Sequence, residues 1–208
     1  MDWANIAGGI IVALMFAIGL PLALRKRKKA GPQKLEQFFE HLRTIEVRAS
    51  MVEKGASEAK TGMSRSSGQR SEGTIEIRDR NIDYIRVISV ASQYGVNYFI
   101  DYLVRRPEYQ SQKERKKTRM VKKKSSAIRG KVMDIEWKGD EYLSPALNMD
   151  YALKDRLLLA EPDELKSRIA IFPEPKYEYA RIRTDYLLPS PNFFEAINMI
   201  AKHVKSGW

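Results

Sequence analysis

Apolar positions change their spacing along the chain, and the changes mark its elements. From Ala4 to Leu24 the sequence reads ANIAGGIIVALMFAIGLPLAL, 21 residues without a charged side chain. A helix of that length spans about 31 Å, close to the hydrocarbon thickness of a bilayer. Arg25, Lys26, Arg27, Lys28 and Lys29 follow at once, and Asp2 is the only charged side chain ahead of the run. Basic flanks stay in the cytoplasm. The pattern therefore predicts one transmembrane helix, with the N-terminus outside, Trp3 as interfacial anchor and the bulk of the chain on the cytoplasmic side of the cell membrane. A cleaved signal peptide would carry its positive charge before the apolar stretch, and a core helix of a soluble protein would show a polar stripe. Gly9, Ala13 and Ala17 recur every four residues, a spacing that admits close helix packing in the membrane but is also common by chance.

Gly31-Pro32 ends this segment. Leu35, Phe38, Phe39 and Leu42 then fall at helical spacing, which predicts a short stem helix over 33–43. After Thr44, Ile45, Val47, Ala49 and Met51 alternate with polar residues, as in a strand, although a helix could run on to about Lys54. Gly55 to Gly73 is Gly- and Ser-rich and reads as a long loop; it holds neither of the common phosphate-loop patterns. Ile75 and Ile77, then Ile82–Ala91, then Val96–Val104 predict a three-stranded meander, with helices as the alternative over 82–103.

Beyond the meander, KVMDIEW (131–137) alternates as a strand, followed by a turn at 138–140 and a short partner strand over 141–147 weakened by Pro145. A helix over 151–160, capped by Asn148 or Asp150, precedes strands at 168–172 and 179–187. Ser190-Pro191-Asn192 opens a final amphipathic helix with Phe194, Ile197, Ile200, Ala201 and Val204 on one face and Gly207 at its end. The strands are too close together for helical crossovers throughout, so the sheet should be mainly antiparallel. The organisation expected is an anchor with basic flank (1–30), a juxtamembrane stem (31–44) and a cytoplasmic α+β domain (45–208).

Charge sharpens this picture. The chain of 208 residues carries 37 Lys+Arg against 26 Asp+Glu, a net charge of +11. Residues 105–131 hold twelve Lys and Arg against two Glu, so this block and 25–29 together exceed the whole net charge. The basicity is local, and 105–131 reads as a solvated loop. Lys116, Lys117, Lys122, Lys123 and Lys124 within it, with Arg25–Lys29, are the candidate contacts for anionic lipid or an acidic protein surface. The block lacks interleaved aromatics, which disfavours nucleic acid. Thr118, Ser125 and Ser126 lie inside or beside it, where phosphorylation would cancel charge.

Catalytic chemistry finds little support. The chain has no cysteine and two histidines, His41 and His203, so a thiolate site is excluded and a His-rich metal site is not expected. Asp134, Glu136, Asp140 and Glu141 cluster around one hairpin, but Asp134 and Glu136 share a strand face with Lys138, as on a solvent-facing surface. No catalytic residue, metal site or cofactor is therefore expected. The function expected is a membrane-anchored binding, scaffold or regulatory module, with an accessory subunit of a membrane complex as one form of it. A membrane-anchored sensor or enzyme is the alternative, with its site near Trp137, the 173–175 turn and Tyr177, Tyr179 and Tyr186. Nucleic-acid binding through the basic segment comes third.

Overall fold

The structure, a computed structural model, describes residues 20–53, 56, 68–106, 115–126 and 131–207, with backbone alone for 20–29. Most of Ala4–Leu24, including Gly9, Ala13 and Ala17, lies outside the described residues. Among the described residues no helix is long and apolar enough to cross a membrane.

Among the described residues eight strands form one antiparallel sheet: β1 (Ala49–Met51), β2 (Gln69–Ile77), β3 (Tyr84–Ser92), β4 (Gly95–Arg105), β5 (Thr118–Lys124), β6 (Val132–Lys138), β7 (Ile169–Glu174) and β8 (Tyr179–Asp185), in the order β1-β2-β3-β4-β8-β7-β5-β6. The α+β class, the antiparallel sheet and the C-terminal helix agree with the sequence pattern. The helices are α1 (Leu20–Thr44), α2 (Leu143–Met149), α3 (Tyr151–Leu158), α4 (Pro162–Lys166) and α5 (Pro191–Gly207).

One row of side chains crosses six strands in register: Ile75, Ile85, Tyr102, Ile182, Ile171 and Thr118. All six are fully buried. They lie on the helix-covered face, where the Phe194 ring of α5 meets Tyr102 edge-on at 6.3 Å. Phe193, Phe194, Ala196, Ile197, Ile200, Ala201 and Val204 of α5 are buried, which is the apolar face the spacing predicted. Ser190 caps this helix, its Oγ accepting from the Phe193 amide at 3.2 Å.

Four expectations are corrected. The stem helix does not begin after Gly31-Pro32; α1 runs unbroken from Leu20 to Thr44 with Pro32 inside it. Gly31 is buried against Glu72, whose carboxyl carbon would lie 2.2 Å from a Cβ there. The packing of Leu35, Phe38 and Leu42 offsets the missing Pro32 donor.

The strand expected from Ile45 is confined to Ala49–Met51. Glu46 adopts a left-handed conformation (φ 59°) and the Val47 amide donates to the Leu42 carbonyl at 3.0 Å. This is a Schellman helix end, and buried Val47 makes its apolar contact with Leu42. Val47 therefore serves the helix stop, not strand alternation.

The segment 141–147 is the helix α2, not a strand. The Asp140 carboxylate accepts from the Tyr142 and Leu143 amides, both at 3.0 Å. Pro145 sits in the first turn, where no backbone donor is needed. The partner of β6 is instead β5, formed by the basic block itself.

Candidate functional site

The basic block is not one solvated surface. Strand geometry sends its alternate side chains to opposite faces of the sheet. On the helix-covered face, Lys122 is half-buried and donates to the carbonyls of Lys166 and Ser167 at 2.5 and 2.7 Å. It thereby satisfies the C-terminal end of α4. Burial pulls its ammonium pKa down, the Lys124 and Arg168 charges add to that, and Asp185 opposes it. On the other face, Lys123 lies 3.5 Å from Asp134 and 3.4 Å from Glu136, a cross-strand charge ladder with Lys138. Lys117 stacks over Phe172, 4.6 Å from the ring centroid. Lys116 and Lys124 have exposed side chains.

Register shows which of these lie together. The row through Ile85 and Tyr102 divides the sheet into two ends. Lys122, Lys123 and Lys124 lie beyond Thr118 on the end that also holds the β3–β4 turn (Gln93-Tyr94) and the start of β2. Lys116 and Lys117 precede Thr118 and lie on the opposite side of the row. Strands twist by about 20–25° per step, so the two hairpins on the first end fan apart by roughly 60–75°.

Helix α1 joins that same end. A Cβ on Gly73 would lie 2.2 Å from Leu35 Cδ2, so Leu35 rides at the level of Gly73. Thr44 is followed by β1, whose Ala49 pairs with Ile77. Thus α1 runs along β2 in the same sense, and its N-terminal half with Arg25–Lys29 points past the start of β2. Where it enters the sheet domain, a hollow of about 300 Å³ is lined by Lys34, Val96, Asn97, Tyr98, Phe99, Arg168, Asp185 and Tyr186. The Lys34 ammonium lies 4.0 Å from the Tyr186 centroid and 5.2 Å from that of Tyr98. Burial pushes the Tyr186 hydroxyl up to about 12, and it donates to the Lys34 carbonyl at 2.9 Å. Burial also tends to raise Asp185, but the Arg168 guanidinium and amide outweigh it and hold its carboxyl below the usual range.

The opposite end carries a second groove, of about 620 Å³, along the short edge strand β1. Arg43, Arg48 and Arg78 line it with Glu46, Val47, Ala49 and Ser50.

The remaining candidate chemistry is spread apart. Asp134 and Glu136 face solvent while Ile135 and Trp137 are buried behind them. Asp140 is buried and knits α2 to the chain entering β5. Glu141 is exposed. His41 Nε2 lies 2.7 Å from the Pro189 carbonyl and His203 Nε2 lies 2.7 Å from Asp150. Among the described residues no three His, Asp or Glu side chains converge as metal ligands. Tyr186 lines the Lys34 hollow, whereas Tyr179 bonds Arg105 on the far side of the row.

Sequence reasoning missed a charge cluster built on a buried carboxylate. On the face away from the helices, Asp101 receives Arg183 in a bidentate pair at 2.6 and 2.8 Å, and Arg181 lies 3.6 Å away. These residues sit on strands far apart in sequence, so no local motif announces them.

Comparison with known proteins gives no match: no family model fits the chain, and no curated protein and no solved structure matches it.

Proposed function

We propose that this chain is a membrane-anchored, cytoplasmic, non-catalytic binding or scaffold module, with one end of its sheet held at the anionic leaflet and the other free for an acidic protein partner. The observation that carries the reading is the continuity of α1. The same helix contains the last residues of the apolar run, the basic run and the buried Leu35, Phe38 and Leu42. From Leu24 to Leu35 is eleven residues, about 16 Å of helix, so the sheet domain stands next to the leaflet without a flexible linker. An anchor raises local concentration, and each Lys or Arg near an anionic surface adds about 1 kcal/mol. The arginine-lined groove beside β1 faces away from that surface and supplies a docking place for acidic side chains.

The test is purification of the full-length chain from native membranes in mild detergent. Resistance to alkaline extraction, protease access to the sheet domain only from the cytoplasmic side, and a salt-stable stoichiometric partner are expected. Release by alkaline carbonate, or a protected domain, would reject the reading.

A further inference from the structure

The β3–β4 hairpin has an unusual composition for this chain. From Val87 to Ile100 there are 14 residues without a charge, in a sequence that is 30% charged. Its tip also projects. On one side β2 pairs no further than Gln69 with Val90; on the other β8 ends where Asp185 pairs with Phe99, followed by the Tyr186–Tyr98 bond. Among the described residues no strand pairs with the outer edges of Ala91–Asn97, and Ala91 to Tyr94 are exposed. At the turn, Tyr94 is 91% exposed, and Gly95 takes the positive φ (136°) that closes it.

The tip has a definite height relative to α1. Leu35 sits at the level of Gly73, which pairs with Val87. From Val87 to Tyr94 is seven residues, about 23 Å of strand. Helix α1 covers that distance in about fifteen residues, which returns to Leu20. The tip therefore reaches the height of the last turn of the apolar run, just short of Arg25–Lys29. Tyrosine is enriched where a membrane meets water, because its ring is apolar and its hydroxyl is not.

We infer that the β3–β4 hairpin tip is a second membrane contact, seating Tyr94 in the lipid headgroup layer beside the basic run of α1. The inference rests on the anchored reading above. An uncharged arm meets no desolvation penalty from ionised groups at this depth, and the water of the headgroup layer serves the outward-facing amides of its two edges. With α1 it makes a two-point attachment that fixes the tilt of the sheet domain and so the direction in which the arginine groove faces.

The absence of cysteine from the chain makes single-site labelling clean. The full-length protein with Ala17→Cys, Tyr94→Cys or Lys176→Cys would carry an environment-sensitive fluorophore in vesicles of mixed phosphatidylcholine and phosphatidylglycerol. Lys176 is exposed at the opposite end of the sheet. Labels at 17 and 94 are expected to shift to the blue and lose iodide quenching. The label at 94 should also be quenched by lipid spin-labelled at the headgroup, and the label at 176 should behave as in water. A label at 17 in water would overturn the anchored reading itself. A label at 17 in the bilayer with 94 in water would overturn the hairpin contact alone. Shielding of 94 from iodide without quenching by the labelled lipid would point to a protein occupant and overturn it too, as would equal shielding at 176.

Discussion

Arg115 and Asp140 form an ion pair at 3.6 Å with side chains only 3% and 2% exposed. The pair ties the chain entering β5 to the start of α2. Asp140 also accepts the Lys116, Tyr142 and Leu143 amides. Removing a buried ionic partner costs about 3–5 kcal/mol because the remaining charge and donors stay buried. Asp140→Ala is therefore expected to lower stability by about that much, read from urea unfolding midpoints. A loss below about 1 kcal/mol would show that the pair is not enclosed in solution.

Asp101 makes a parallel case on the sheet. Its side chain is 3% exposed and holds Arg183 and Arg181. Asp101→Ala should cost about 3 kcal/mol or more. Arg43→Ala removes an exposed pair with Glu40 and should stay within about 0.5 kcal/mol. Measuring both variants separates buried from surface electrostatics within one domain.

These two sites also show how far the sequence could be read. Periodicity disclosed the elements whose two faces differ strongly, such as α5 with its run of Phe194, Ile197, Ile200 and Val204. It failed at Thr118–Lys124, where only Met120 and Val121 are apolar and strand pairing is sustained by lysines with specific partners: Lys122 on helix-end carbonyls and Lys123 on Asp134 and Glu136. It failed again at Leu143–Met149, because the helix start depends on a carboxylate, Asp140, that looked like surface chemistry. The basic run at 25–29 is evident in the sequence, and so is a break between the apolar runs 82–91 and 96–104. That the two stand at one end of the sheet follows from register, which a single sequence does not encode locally.

Gly139 tests a backbone constraint. Its φ is 141°, and a Cβ would lie 2.0 Å from the Lys117 carbonyl oxygen. Alanine would face both a left-handed backbone and a clash with an atom that cannot swing away. Gly139→Ala is expected to destabilise by about 2 kcal/mol or more and to loosen the β5–β6 end, seen as faster hydrogen exchange at Arg119 and Lys138. Unchanged exchange there would contradict the close approach.

Acid should weaken the sheet through Asp185. Although burial works against it, the Arg168 bonds keep its carboxyl pKa below the ordinary range. A carboxylate with a depressed folded pKa contributes stability that is full above the unfolded value, about 3.9, and fades as pH falls below it. Asp185→Asn should thus be less stable than the parent at pH 7, with the gap closing below about pH 4. A gap that persists at low pH would mean that the side chain acts through packing alone.

The two ends of the sheet make opposite demands on exposed lysines of the same basic block. Lys124 lies on the end shared with Arg25–Lys29, and Lys116 on the other side of the Thr118 row. Net charge is altered equally by Lys124→Ala and Lys116→Ala. If the first end faces the leaflet, loss of Lys124 removes about 1 kcal/mol of attraction, roughly a fivefold change in affinity for anionic vesicles, and loss of Lys116 removes almost none. To isolate this contribution from the anchor, the measurement is the salt dependence of lipid contact by a fluorophore at Ser125→Cys in the full-length protein, compared between the two lysine variants. Equal effects would mean that the block acts by net charge without orientation, and a larger effect of Lys116 would turn the sheet the other way up.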